Sequence, residues 1–415
     1  MPLDPLRVLT SMAGRNMIDG IRQEIDALYP RRRARRTEDA ARWQHALEVL
    51  LANLVLAAFN RVDPERFIAL SFNANDYSGS TLSVKALTRA RDGLKALGLV
   101  EGSGGYQRVV EGAVRHARRT RLRATPALRT RFASLNLRRT DVGWQDRRDL
   151  IILREPEEDA LPEPPDVTAS RVLLDRLNEA LARAQLYLPD EAWARVTERY
   201  RTGNGDEDDR LVAGEETTGL YRIFKGGWDR GGRLYGGWWI NLPKDERRRL
   251  NINGAAVVER DFARLHPTML FARSGVVLDF DIYAVPGYEG DHVRELGKRT
   301  FNRLLNKTAP RGVRLLPTAL DRVQLPSGAR FADYVAAFVE RLGPVAQWLG
   351  TGEGLRLQRE DSDLAIAILA RLLDQGVLAL PVHDSFIVAK ENEAALAAAM
   401  RGEFARRYGF DPVIR

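Results

Sequence analysis

Two aspartates close short apolar runs in this 415-residue chain. Asp384 lies in Leu380-Pro381-Val382-His383-Asp384-Ser385-Phe386-Ile387-Val388, where two runs rich in β-branched residues flank a polar knot. A hairpin there pushes one carboxylate out of the sheet; the plainer alternative is a tight turn in which Asp384 caps its own backbone. Asp261 ends a second run, Val257-Val258-Glu259-Arg260-Asp261, and Phe262-Ala263-Arg264-Leu265-His266-Pro267 follows. Two carboxylates on neighbouring strand ends can hold two divalent cations, the arrangement that phosphoryl transfer needs. Between them Arg294 and Lys298 stand four apart, so on a helix they share one face suited to a triphosphate. The stretch from Gly226 to Trp239 is rich in glycine and tryptophan. Its glycines let backbone approach a ligand, and Arg233 offers a fork for phosphate. The alternative is a tight hairpin whose tryptophans belong to a core.

The rest of the chain must position these groups. Its length fits two or three domains with ample core, and its 44% hydrophobic and 29% charged content is that of an ordinary globular protein. Cysteine is absent, which excludes disulfides, thiolate zinc sites and cysteine nucleophiles. No run of 18 or more apolar residues is present and the N-terminus does not read as a signal peptide, so the expectation is a cytoplasmic protein with no membrane partner. The net charge of +8 favours a polyanion, nucleic acid first, although an arginine-dominated excess also reflects base composition.

Residues 1–40 read as a helical arm ending in the basic run Arg31-Arg32-Arg33-Ala34-Arg35-Arg36, either a solvated charge run or an arm lying on phosphates. Helical spacing follows from Arg42 to Asn60, then a short strand from Phe67 to Phe72. From Ser83 to Leu97 an amphipathic helix turns Lys85 and Arg89 outward. Leu99-Val100, a glycine turn over 101–106 and a basic strand carrying Arg121 and Arg123 come next. This order resembles a winged helix-turn-helix over residues 42–135, a pattern shared by plasmid replication initiators and many regulators. The resemblance implies a helix for the major groove and a basic wing on the flanking phosphates. The acidic, proline-rich stretch around 156–168 reads as a linker, giving domains over 1–155 and 169–415. The acidic loop Gly203 to Asp209 lacks the closing Glu of a calcium hand.

Over residues 210–400 the motifs, in order, resemble the palm of single-subunit polymerases, the group joining phage-type RNA polymerases to family A DNA polymerases. Asp229, Gly232, Arg233 and Tyr235 match the Asp-x-x-Gly-Arg-x-Tyr element. Asp261 matches the first metal-binding motif, and Arg294 with Lys298 and Arg299 the Arg-x-x-x-Lys helix. Asp281-Ile282-Tyr283 is similar to the segment before that helix, and His383-Asp384-Ser385-Phe386 to the phage-type second metal motif. Gln358 and Asp363 fall where a minor-groove-reading helix is expected. The family pattern is broken at Asn302 and Asn306, where it places aromatics, and at Asp363, where the phage enzymes place histidine. These departures bear on base-pair checking and sugar selection rather than on metal chemistry.

The resemblance implies an α+β fold: a right-hand palm with a small antiparallel sheet and helical fingers, preceded by a mainly helical winged-helix-like domain. It implies a nucleotidyltransferase using DNA template and primer, nucleoside triphosphates and two Mg2+ (Mn2+ as a substitute), serving a plasmid, phage or mobile element. Asp261 and Asp384 would hold the metals. Arg294, Lys298, Arg299, His266 and Asn306 would meet the nucleotide, with Lys298 as acid for the leaving group. Gly232, Arg233, Tyr235, His383, Gln358 and Asp363 would meet template or primer. His266 stands five residues after Asp261, under the ribose, where a bulky ring implies exclusion of ribonucleotides by size; hydrogen bonding to the hydroxyl is the alternative. A single-subunit RNA polymerase, a primase-like enzyme and a non-catalytic replication initiator are the rival readings.

Overall fold

The computed structural model describes all residues except 31–35, 61, 62, 64, 78, 79, 111, 112, 146–148, 156–161, 203–214, 216, 290 and 309–314, with backbone alone at 75, 106–110, 113–118, 200–202 and 291. The protein is mixed α+β, with small and mostly antiparallel sheets. It divides into two units. The first comprises Met1–Asp149, Ala184–Gly219 and Gly236–Ala256, and the second Leu150–Arg183, Leu220–Tyr235 and Val257–Arg415. A linear division at 156–168 therefore does not describe the packing. Residues 184–219 and 236–256 are joined to each other by the stacked Trp193 and Trp238 rings and the Arg195–Glu246 ion pair, and to the N-terminal part by contacts such as Arg66 over the Trp193 ring at 5.8 Å. Within the expected linker, 156–161 lie outside the described residues, and a helix begins at Pro165.

In the first unit, α1 (Met12–Leu28) and α2 (Thr37–Ala58) precede β1 (Ile68–Leu70) and α3 (Val84–Ala96). Then come β2 (Val100–Glu101), β3 (Tyr106–Val110), β4 (Ala113–Arg118) and β5 (Thr120–Ala124). β5 is central between β1 and β2, and β3 with β4 forms a separate hairpin. α2 is buried nearly all round from Ala46 to Ala57, as a helix apolar on every face must be. Around it pack Ile18, Ile21 and Ile25 of α1 and Leu87 and Leu94 of α3. α1 is thus core and not an arm: its apolar residues fall three and four apart on one face. Residues 31–35 of the basic run lie outside the described residues.

The second unit holds β6 (Ile151–Arg154), α4 (Pro165–Arg183), β7 (Tyr221–Lys225) and β8 (Gly227–Tyr235). β9 (Ala255–Asp261), α5 (Leu265–Arg273), α6 (Asp291–Asn306) and α7 (Glu353–Asp374) follow. β10 (Leu380–Val382), β11 (Ser385–Ala389) and α8 (Glu393–Tyr408) complete it. β11 lies between β9 and β10, antiparallel to both. All five residues of β11 are buried, which its Phe-Ile-Val content permits on both faces. β7 pairs with β8 on one side and, in parallel, with β6 on the other. Among the described residues no helix is long and apolar enough to cross a membrane.

Candidate active site

The β9–β11 register places the two aspartates. Asp261 lies opposite Ser385, so Asp384 sits one residue beyond that pair, at the same sheet end. Antiparallel partners have Cα atoms about 4.5–5.5 Å apart, which makes neighbours of residues 123 apart in sequence (384 − 261). His383 and Asp384 form the two-residue turn between β10 and β11, and His383 takes a φ of +58°, unusual for a residue with a Cβ. After Asp261 the chain turns through Arg264, also at φ +58°, into α5. The C-terminal end seals the strand: Asp261 N–H donates to the Arg415 carbonyl at 3.1 Å and Arg415 N–H to the Asp261 carbonyl at 2.9 Å.

Both carboxylates line a cavity of about 470 Å³. Arg233, His266, Arg294, Lys298, Gln358 and Asn306 line it as well. Burial raises the Asp384 carboxyl above its ordinary value, and the charge of Asp261 raises it further. A buried carboxylate whose charge a neighbouring carboxylate disfavours is a donor that a divalent cation relieves. Among the described residues no group of three or more His, Asp or Glu side chains gathers as a metal site. Two carboxylates nevertheless suit Mg2+, which keeps water and phosphate oxygens in its remaining positions. The residues fit that ion.

α6 supplies the cationic wall. Arg294 Nε donates to Asp281 Oδ2 at 2.6 Å and its guanidinium lies 5.5 Å from the centre of the Tyr283 ring. Lys298, one turn on, pairs with Glu295 at 2.6 Å on the more exposed side. Asn306 Nδ2 donates to the Asn302 carbonyl, and both side chains line the cavity. Arg299 does not line it. It donates to Asp321 Oδ1 at 2.8 Å and Gln324 Oε1 at 2.6 Å, and Asp321, only 2% exposed, also takes Arg303. Residue 299 lies about 100° round the helix from 298, so the expected nucleotide contact belongs to the face that packs on 321–324.

Glycine and arginine in the Gly226–Tyr235 stretch have separable roles. The β7–β8 register shifts between Ile223 and Phe224, leaving Gly232 as an extra residue at φ +76° directly before Arg233. A Cβ there would meet Phe224 Cε1 at 2.8 Å, so the bulge requires glycine. The Gly232 carbonyl accepts from Arg222 Nε at 2.7 Å and from the Ser362 hydroxyl. Gly232 thus joins β8 to α7 through its carbonyl. Asp363, expected at template or primer, is instead a counter-ion. It accepts from Arg222 Nη2 at 2.9 Å and from Arg359, where Arg222 is 1% exposed and burial depresses its guanidinium. Tyr235 does not line the cavity; its ring tilts against Tyr221 and meets the His383 ring edge-on at 6.4 Å. Asp229 is at the surface with Arg230 and Arg356.

The residue missed in the sequence is Asp361. Its side chain is 1% exposed, and it accepts from Arg233 Nε at 3.1 and 3.2 Å, from Arg233 Nη2, and from His266 Nε2 at 2.7 Å. Burial raises its carboxyl, but the hydrogen bonds from His266 and Arg233 outweigh this and hold it below the ordinary carboxylate value. Helical phase carried the signal: Gly354, Gln358 and Asp361 fall at i, i+4 and i+7 on one face of α7, and the first two line the cavity. Arg415 also lines it, and nothing in the sequence pattern pointed there.

In the first unit Lys85 and Arg89 are exposed one turn apart on α3. Arg121 and Arg123 lie on the central strand β5, not on the β3–β4 hairpin. Arg123 pairs with Glu101 at 2.7 Å and Glu65 at 2.9 Å.

No protein-family model and no curated protein matches the chain.

Proposed function

We propose that the second unit carries out template-directed nucleotidyl transfer on nucleoside triphosphates, in the manner of a DNA polymerase of the single-subunit palm group. The observation that carries this reading is the pairing of Asp261 with Ser385, which puts Asp261 and Asp384 at one sheet end in a cavity walled by Arg294 and Lys298. β9, β10 and β11 correspond to the palm sheet and α6 to the fingers helix. Asp261 and Asp384 would hold two Mg2+, which would supply activation of a 3′-hydroxyl and neutralisation of charge on the phosphates. Arg294 and Lys298 bind the triphosphate and stabilise the charge that develops on it. The 3′-hydroxyl gives its proton to solvent water, and its oxygen forms a bond to the α-phosphorus as the α–β bridge breaks. Pyrophosphate leaves, and the Lys298 ammonium is placed to give it a proton. Arg294 must exchange Asp281 for phosphate as the nucleotide enters. Gln358 and Asn306 lie at the same wall, suited to the nucleotide or the primer–template end.

The first unit is proposed as the module that brings this chemistry to DNA. Its helix, strand, helix and hairpin order and its β1-β5-β2 sheet support a winged-helix reading. Lys85 and Arg89 on α3 are placed for phosphates or base edges, and such a chain suits the replication of a plasmid, phage or mobile element. Primer extension by the full chain on a defined template tests the reading. Addition of the complementary nucleotide, dependent on Mg2+, is expected. DNA binding with no addition of any nucleotide would leave a non-catalytic initiator as the account.

A further inference from the structure

Among the described residues five arginine and lysine side chains line the cavity, and four of them are spent within the fold. Arg233 pairs with Asp361, Arg264 donates to the Phe280 carbonyl, Arg294 holds Asp281 and Lys298 holds Glu295. The fifth is Arg415, an exposed residue whose side chain has no hydrogen bond or ion pair among the described residues. Its backbone, by contrast, is fixed. Asp261 and Arg415 exchange both N–H···O bonds, at 3.1 and 2.9 Å, and Ala263 N–H donates to the Val413 carbonyl at 2.8 Å. Residues 413–415 therefore run antiparallel along the end of β9, with Phe262 opposite Ile414. The N–H and C=O of one strand residue point to the same neighbour, so 413–415 lie across β9 from β11. Paired residues put their side chains on one face, and faces alternate along a strand. Phe262 turns into the core against Phe404, so Asp261 and Arg415 share the other face, towards the cavity.

An arginine directly across from an aspartate gains from an ion pair with it. Among the described residues no ion pair joins Arg415 to Asp261, so a fork of donors stands beside that carboxylate, open to another anion. Arg294 and Lys298 must each leave a carboxylate before they take a phosphate, whereas Arg415 leaves nothing. In phosphoryl transfer the attacking oxygen and the leaving group lie on opposite sides of the phosphorus, and negative charge gathers on the leaving group. A free cation belongs at that second end. Asp384 and the β10–β11 turn occupy one flank of Asp261, and Arg415 occupies the other. Resting on the nucleotidyl-transfer reading, we propose that Arg415 binds the terminal phosphates of the incoming triphosphate, in the bidentate manner a guanidinium allows. Arg415 lies beyond residues 210–400, the stretch that resembles the palm group, so the resemblance does not supply this contact.

The test is calorimetric binding of an α,β-methylene nucleoside triphosphate, which cannot be cleaved at that bridge, to the full chain in Mg2+. The matching nucleoside monophosphate and a primer–template duplex are titrated beside it, for wild type, Arg415→Ala and Arg415→Lys, and primer extension is run on the same preparations. The alanine variant keeps both backbone bonds to Asp261 and should unfold at the wild-type temperature. It should bind the triphosphate about 10- to 100-fold more weakly, with monophosphate and duplex affinity within about twofold of wild type. Lysine keeps the charge without the fork and should recover part of the loss. Unchanged triphosphate affinity in Arg415→Ala overturns the proposal. Equal weakening of triphosphate and monophosphate places Arg415 at the α-phosphate, and weakening of the duplex alone places it on the primer strand; either result overturns it. A lower unfolding temperature with all three affinities reduced together marks a structural role and overturns it too. Triphosphate binding that depends on Arg415, with no extension of any primer, overturns the nucleotidyl-transfer reading and leaves the phosphate contact standing. Folded wild type that binds no triphosphate overturns both.

Discussion

Asp384→Asn should make the metal-free protein more stable while removing its response to Mg2+. Asp261 and Asp384 occupy neighbouring strand ends, and burial with the Asp261 charge disfavours ionised Asp384. At an effective dielectric of about 20, two unit charges about 4 Å apart repel by about 4 kcal/mol, an upper bound for carboxylates on neighbouring strand ends. The attraction of Arg233 offsets part of this, so a net gain of about 1–2 kcal/mol is expected for the isosteric neutral side chain. For a unit of this size that corresponds to a Tm higher by about 2–8 °C. Mg2+ at a hundred times its Kd should stabilise wild type by about 2.7 kcal/mol. Most of that should vanish in the variant, because one of two metal-holding carboxylates is gone. Thermal unfolding followed by fluorescence, with and without Mg2+, reads both effects. A variant that is less stable without metal, or that gains as much from Mg2+ as wild type, would refute the reasoning.

Other outcomes follow from the same geometry. Arg294→Ala should raise the KM for the triphosphate about tenfold or more, and Asp281→Asn, which releases Arg294, should lower it; steady-state extension kinetics separates the two. Because Asp361 is held below the ordinary carboxylate value, its contribution to stability is present above its unfolded-state pKa and lost as pH falls through the folded-state value. Acid unfolding of Asp361→Asn should therefore be shallower than that of wild type. Replacing Arg222 by Ala should destabilise the second unit by about 3–5 kcal/mol in denaturant titrations, since it strips a buried cation from Asp363, Ser170, Ser362 and the Gly232 carbonyl. Lys85→Ala with Arg89→Ala should lower the log–log salt slope of duplex binding by about 2, and an unchanged slope would remove α3 from the interface.

The site was legible where chemistry and spacing coincide. Asp261 and Asp384 each end an apolar run, and β pairing brings them together as the runs imply. Arg294 and Lys298 share a face because four residues make about one turn. What failed was phase and long-range packing. Arg299 is adjacent to Lys298 in sequence but belongs to the face closed by Asp321. The sequence points to Asp363 and not to Asp361, two residues and roughly 200° away on α7, because the buried partner of Asp363 lies on distant β7 and those of Asp361 on β8 and α5. The 1–40 segment was read by its arginines, whereas the spacing of Ile18, Ile21 and Ile25 governs where α1 packs. Segments 184–219 and 236–256 pack on each other through Trp193 and Trp238 and meet the rest of the first unit through contacts such as Arg66 on Trp193, which no local pattern encodes.

The central claim is that Asp261 and Asp384 together hold the metals for nucleotide addition. Its most direct measurement is the single-turnover rate of primer extension by the full chain carrying Asp261→Ala or Asp384→Ala, alongside DNA affinity. Each substitution should abolish addition, by a factor of about 10³ or more, while duplex affinity stays within about twofold of wild type. Extension at a near-normal rate by either variant would contradict the account.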